Sequence, residues 1–182
     1  VNQVLDLAKI ESGHAQWHDT DVDLIDLIEH VATTAGQLVR NRQAELALVL
    51  PPAVTVLRVD RDRLIQVLTN LIGNAARFVP EHEGVVRVVL SESETGVRVD
   101  VCDNGPGIPQ DAQGEIFEKF RQASGSGGKP TGTGLGLPIS REIIEHFGGT
   151  LWVTSEPGHG AVFSFELPQK LAVSASEMGE PT

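Results

Sequence analysis

The chain has 182 residues, 40% of them hydrophobic, and a net charge of −11 from 14 basic and 25 acidic side chains. That length supports about one domain with a core of its own, and the negative balance argues against a nucleic-acid footprint. The single cysteine, Cys102, excludes an internal disulfide framework and fits a reducing compartment, and no run approaches the roughly 18 apolar residues of a membrane span.

The first residues, "VNQVLDLAKIESG", lack a basic segment followed by an apolar one and so do not spell a signal peptide. They read as the tail of a longer chain. Val1, Val4, Leu5 and Ala8 have helical spacing over 1–12, with Gly13 as a C-terminal stop, and "HAQWHDTD" reads as a polar linker. Asp23 is placed to cap a helix over 24–42, whose apolar face is Leu24, Leu27, Ile28, Val31, Ala35, Leu38 and Val39. "ELALVL" and "VTVLRV" flank Pro51-Pro52 as two strands joined by a turn. A helix over 60–78 ends before Pro80. "GVVRVVLSES" and "TGVRVDVCD" form a hairpin, and the segment 107–132 is rich in Gly, Ser and Lys with one amphipathic piece, "GEIFEKFRQ". A helix over 135–147 precedes a second hairpin that turns at 157–160. The stretch after Pro168 has the composition of a disordered tail or linker.

Helix 60–78 carries the strongest chemical signal. At about 100° per residue, Leu64, Val67, Leu68, Leu71, Ile72 and Ala75 share one face, while Gln66, Asn70, Asn74 and Arg77 form a polar stripe. Asn is a poor helix former, and a solvated face more often holds Glu and Lys. A carboxamide oxygen with a cation one turn later suits Mg²⁺-bound phosphate, since magnesium takes a few hard oxygens from protein and the rest from water and phosphate.

In "GVRVDVCDNGPGI", alternation puts Asp103 on the same face as Val97, Val99 and Val101, toward the core. A buried carboxylate is costly unless it accepts good hydrogen bonds. Facing an exocyclic amino group, it would favour adenine over guanine. The glycine stretch "TGTGLGL" runs straight into helix 135–147 but is neither a P-loop nor a dinucleotide fingerprint. Its glycines can hinge and offer N–H groups and a helix dipole to a triphosphate.

In order, these residues resemble the ATP-binding domain of sensor histidine kinases, members of the GHKL superfamily. "NLIGNAARF" is similar to the family's N box, "DNGPGI" to its G1 box, "IFEKFRQ" to its F box, "GTGLGL" to its G2 box and "EPGHGAVFSFELP" to its G3 turn and closing strands. "LDLAKIESG" followed by "DVDLIDLI" resembles the exit from the dimerisation helices. The resemblance implies an α/β sandwich of the Bergerat type, a mixed sheet covered on one face by three helices. Its domain boundaries would be 1–18 for the end of the dimerisation helix and linker, 19–168 for the catalytic domain and 169–182 for the tail.

The same resemblance implies ATP and Mg²⁺ as cofactors, with Asn74 as the metal ligand and Asn70 one turn before it. Arg77 stands where a phosphate-contacting Lys is usual, and Phe78 where an aromatic packs near adenine. Asp103 matches the adenine-binding acid, with Gly105, Gly107 and Ile108 around it. Gly132, Gly134 and Gly136, with Thr133, Leu135 and Leu137, match the hinge and triphosphate loop, and 107–132 would be the lid. Two departures stand out. Arg77 offers a planar fork in place of an ammonium. The γ-phosphate arginine expected at or after the F box falls where Gln122 stands, leaving Arg121, next to Phe120, or Lys129 as candidate cations.

In the hydrolases of this superfamily, such as DNA gyrase and MutL, a Glu occupies the place of Asn70. A carboxamide cannot take a proton from water, which favours phosphoryl transfer to a protein over hydrolysis. None of the six histidines (14, 18, 30, 82, 146 and 159) has the family's acceptor context. The acceptor is therefore expected on a dimerisation segment upstream of Val1, in a homodimer, with relay to an Asp of a response-regulator receiver domain. No nucleic-acid or membrane contact is expected, and the location is expected to be cytoplasmic, in a parent that could be a membrane receptor. The alternatives are a serine kinase of the anti-sigma type, against which stretch 1–27 argues, and a degenerate nucleotide-binding docking module, against which the intact polar stripe and Asp103 argue.

Overall fold

The computed structural model describes residues 2–53, 55–122 and 132–169. Among them, helix α1 (Gln3–Glu11) leads through a linker to strand β1 (Asp19–Asp23), helices α2 (Leu24–Thr34) and α3 (Gly36–Arg40) and strands β2 (Glu45–Val49) and β3 (Val56–Asp60). Helix α4 (Arg61–Phe78), hairpin β4 (Val85–Glu92) and β5 (Gly96–Asp103), a single 3₁₀ turn (Glu115–Phe117), helix α5 (Gly136–His146) and hairpin β6 (Thr150–Ser155) and β7 (Ala161–Pro168) follow.

The main sheet has order β2-β4-β5-β7-β6, parallel between β2 and β4 and antiparallel elsewhere. This is the mixed sheet of a two-layer α/β sandwich, with helices packed on one face. Register builds the inner face in cross-strand rows: Val88, Val101 and Phe163 in one, Leu90, Val99 and Phe165 in the next, all with at most 3% exposure. Each fully buried side chain of this size stabilises by roughly 1.5–3 kcal/mol. Helix α4 lays Leu64, Val67, Leu68, Leu71, Ile72, Ala75 and Ala76 against this sheet, and Asp60 caps it by accepting from the N–H groups of Asp62 and Arg63.

Three expectations change. The last three residues of the supposed linker begin β1, which pairs antiparallel with β3 in a separate two-stranded sheet, burying Val22 against Leu57. Accordingly β2 and β3 do not pair with each other; β2 joins the main sheet and β3 the small one. The helix expected over 24–42 is interrupted at Ala35, because Gly36 has weak helix propensity. Its missing side chain also leaves room for Leu46 of β2, which would lie 3.0 Å from a Cβ there. The amphipathic piece of the F box contributes only the 3₁₀ turn, with Ile116 buried.

Helix α1 packs on the rest of the fold with a face the apolar pattern did not single out. Leu7 is buried and Ile10 half-buried, whereas Val4 and Leu5, from the predicted stripe, are exposed. The tail from residue 170 lies outside the described residues.

Candidate nucleotide site

Strand β5 delivers Asp103 to the end of the inner face, where its register partners are Val86 and Ala161. Its side chain is half-buried, and Oδ1 accepts from the Gly105 N–H at 2.9 Å. Burial pushes the carboxyl above its usual range, and hydrogen bonds from the N–H groups of Gly105 and Ala161 offset only part of that.

The loop after Asp103 is locked from several sides. Asn104 accepts from the Val85 N–H and donates to the Glu83 carbonyl. The Ile108 N–H donates to Ser155 Oγ at 2.8 Å, and Ser155 Oγ in turn donates to the Gly160 carbonyl. Backbone here comes too close for side chains. A Cβ on Gly105 would lie 2.8 Å from the Phe78 carbonyl, one on Gly107 2.3 Å from the Glu156 carbonyl, and one on Gly160 1.9 Å from the Asp103 carbonyl. Phe78, at the end of α4, is 39% exposed beside this loop.

The polar stripe of α4 is shared among three neighbours. Gln66 donates through Nε2 to Asp6 of α1 at 2.9 Å, so it serves helix docking. Asn70 donates through Nδ2 to the Gly136 carbonyl and to the buried Ser140 hydroxyl, both at 3.2 Å, which ties α4 to the start of α5. Asn74 is half-buried and makes no such bond to a described side chain. The exposed Arg77 brings its guanidinium to 3.3 Å from where a Gly132 Cβ would project.

The glycine hinge is pinned at its neck: the Phe120 N–H donates to the Gly134 carbonyl at 3.0 Å, and Gln122 Nε2 donates to the Gly132 carbonyl at 2.5 Å. Phe120 itself is 65% exposed with φ +61. Leu135 is fully buried and Leu137 half-buried, so both side chains serve packing more than contact with a ligand. No side chain caps α5 through its preceding residue, which leaves first-turn N–H groups available to an anion.

Arg121 does not stand free. Its guanidinium pairs with Glu118 at 3.2 Å and Glu115 at 3.5 Å. Lys129 lies outside the described residues. An open cavity of about 460 Å³ between α1, the 3₁₀ turn and α5 is lined by Leu7, Phe117, Lys119, Pro138 and Arg141 among others, and includes none of the predicted nucleotide residues. Among the described residues no group of three His, Cys, Asp or Glu could hold a metal. A divalent ion at Asn74 would thus draw its other ligands from phosphate and water, as magnesium does.

Sequence reasoning missed the docking set on α1. Asp6 pairs with Arg63 at 2.7 Å, with side chains 12% and 19% exposed, and also accepts from Gln66. Burial works to raise the Asp6 carboxyl, but the bonds from Gln66 and Arg63 and the charge of Arg63 outweigh it and hold it below the usual carboxylate range. Glu11 pairs with Lys119, and the Thr133 hydroxyl donates to Gln3 Oε1. Trp17 stacks on His146 with ring centroids 3.6 Å apart, and the Arg63 guanidinium lies 5.4 Å from the Trp17 ring. No local pattern signals these hydrogen-bond partners, which lie 57 or more residues apart in the chain.

A five-stranded mixed sheet with helices on one face is the architecture of a class of ATP-binding domain. The chain belongs to the histidine kinase-, DNA gyrase B- and HSP90-like ATPase family, whose model matches residues 59–171. It is 37% identical over 176 residues to the sensor protein GacS of Pseudomonas syringae pv. syringae, covering 93% of this chain and 19% of that protein. It is similar in structure to full-length ShkA in complex with AMPPNP, with a TM-score of 0.81, 33% identity and coverage of 92% of this chain and 34% of that one. It is likewise similar to histidine kinase ThkA in complex with response regulator protein TrrA, with a TM-score of 0.73, 28% identity and coverage of 92% and 47%. The chain spans less than half the length of curated relatives it matches, for instance 11% of one and 44% of another. No helix among the described residues is long and apolar enough to cross a membrane.

Proposed function

We propose that this chain is the ATP-binding catalytic portion of a sensor histidine kinase, in which residues 19–168 hold Mg·ATP and residues 1–18 end the dimerisation helix. It would donate the γ-phosphate to a His on a dimerisation segment, from which a response regulator's receiver Asp would take it. The carrying observation is the convergence of α4's polar stripe with the glycine segment: Arg77 lies against Gly132 and Asn70 is bonded to Gly136, at the uncapped start of α5. ShkA's complex with AMPPNP, a triphosphate analogue of ATP, supports the nucleotide reading, and ThkA's complex with TrrA supports the partner.

In this reading Asp103 accepts from the adenine amino group, while Phe78 and the loop Gly105–Ile108 bound the base. Asn74 would hold Mg²⁺, which supplies charge neutralisation for phosphoryl transfer. Arg77 and the N–H groups at the start of α5 orient the phosphates. The Asn70 amide is committed to Gly136 and Ser140 and offers no base for water.

The test is incubation with γ-labelled ATP, with and without a separately supplied dimerisation fragment. Acid-labile, base-stable label on the fragment supports the reading. Steady phosphate release with no labelled protein would overturn it in favour of a hydrolase.

A further inference from the structure

Helix α1 touches the glycine segment at Thr133 and the chain after the 3₁₀ turn at Lys119. Its N-terminal end holds Thr133 through Gln3, and its C-terminal end holds Lys119 through Glu11. Between them, Leu7 is buried and Asp6 is bonded to Arg63 and Gln66 at the near end of α4's polar stripe. The helix is thereby anchored at the centre and carries a polar side chain to the hinge.

A threonine hydroxyl has one proton to donate. In this structure the Thr133 hydroxyl donates to Gln3 Oε1. Thr133 also stands next to the uncapped start of α5, where the phosphates of a bound nucleotide would present acceptor oxygens. Gln3 and a phosphate oxygen therefore compete for one donor. Gly132, adjacent in the chain, has Arg77 against it and its carbonyl bonded to Gln122. The docked helix thus acts on the same short segment that carries the predicted phosphate contacts.

We propose that α1 and the nucleotide compete for the Thr133 hydroxyl, so that docking of α1 lowers the affinity of this site for ATP and ATP loosens α1. The proposal rests on the nucleotide reading of the site given above. By linkage, whatever factor docking takes from nucleotide affinity, nucleotide takes from docking.

The test measures binding of AMPPNP with magnesium to the full chain by calorimetry, in the wild type and in Gln3→Ala, Asp6→Arg and the charge swap Asp6→Arg/Arg63→Asp. Removing one neutral hydrogen bond of ordinary worth predicts about three- to tenfold tighter binding for Gln3→Ala. Asp6→Arg, which sets two cations against each other, is expected to tighten binding at least as much. The swap, which restores the pair, should return affinity to within about twofold of wild type. Hydrogen exchange of the wild type adds a readout free of substitutions: amides of α1 should exchange faster at saturating AMPPNP. Unchanged or weaker affinity in Gln3→Ala, or α1 exchange that nucleotide does not accelerate, overturns the competition while leaving the site reading intact. A wild type that binds no AMPPNP overturns both.

Discussion

The adenine end and the phosphate end of the candidate site are built differently. At Asp103 the backbone is fixed by contacts within the catalytic unit, from Gly105, Asn104, Ser155 and Gly160, and approaches too closely to admit side chains. At Gly132–Gly136 the backbone is also close at one point, where the Gly134 carbonyl accepts from the Phe120 N–H and a Gly134 Cβ would lie 2.9 Å from Phe120 backbone. The other ties there are side chains from elsewhere: Asn70, Gln122 and, from α1, Gln3, with Arg77 against Gly132. The first end is set by the fold's own packing. The second rests in larger part on side chains. On the proposed reading, a closely packed base pocket beside a loop tied largely by side chains would select the nucleotide at one end and couple it to the rest of the molecule at the other.

The largest effect should come from testing that contrast directly. Gly160→Ala puts a Cβ 1.9 Å from the Asp103 carbonyl at φ +75, so a loss of about 3 kcal/mol or more, or failure to fold, is expected in denaturant unfolding. Gly132→Ala meets only the end of the flexible Arg77 side chain but sits at φ +120, so it should cost about 1–2 kcal/mol, from backbone strain alone. Equal losses would erase the distinction between the two ends.

Asp103→Asn separates binding from folding. Because burial raises this carboxyl, the stability it contributes is present at low pH and lost as pH rises through its folded value. The neutral amide should therefore leave the melting temperature at pH 7 unchanged or higher, while nucleotide affinity falls roughly 10- to 100-fold through loss of a charged acceptor. Asn74→Ala should lower affinity for Mg·AMPPNP about tenfold and leave metal-free binding nearly unchanged, checked by titration with and without EDTA. The smallest effect belongs to Asp6. Its lowered carboxyl stabilises α1 docking above the unfolded pKa, and this is lost as pH falls through the folded one. Acidification below the ordinary Asp value of 3.8 should progressively loosen α1 in hydrogen exchange, with little change between about pH 6 and 5. Asp6→Asn should already have a looser α1 at pH 6, by on the order of 1 kcal/mol.

The parts legible in the sequence were those with a period. The buried face of α4 and the inward placement of Asp103 follow from spacings of 3.6 and 2, and the observed burial and register agree with both. The β4–β5 and β6–β7 hairpins were legible from turn residues. Strand β1 was not, because "DTDVD" has a single apolar residue and owes its structure to pairing with β3, 37 residues away at the Asp21–Arg58 pair. The role of Gln66 was hidden for the same reason: it lay on the polar stripe as expected, but its partner, Asp6, is 60 residues earlier. Gly36 alone hinted at the interruption at Ala35; that Leu46 packs where its side chain would project was not legible locally. Local patterns report the face a residue presents; they do not report which distant element arrives to meet it.

Strand β1 has a consequence for reach. With Asp19–Asp23 zipped to β3 and His18 bonded through its N–H to Asp60, residues 12–18 are all that separates α1 from a fixed anchor. Seven residues extend at most about 25 Å. A helix released from its docked position can therefore sweep only a limited volume, which keeps it at a high effective concentration beside its dock.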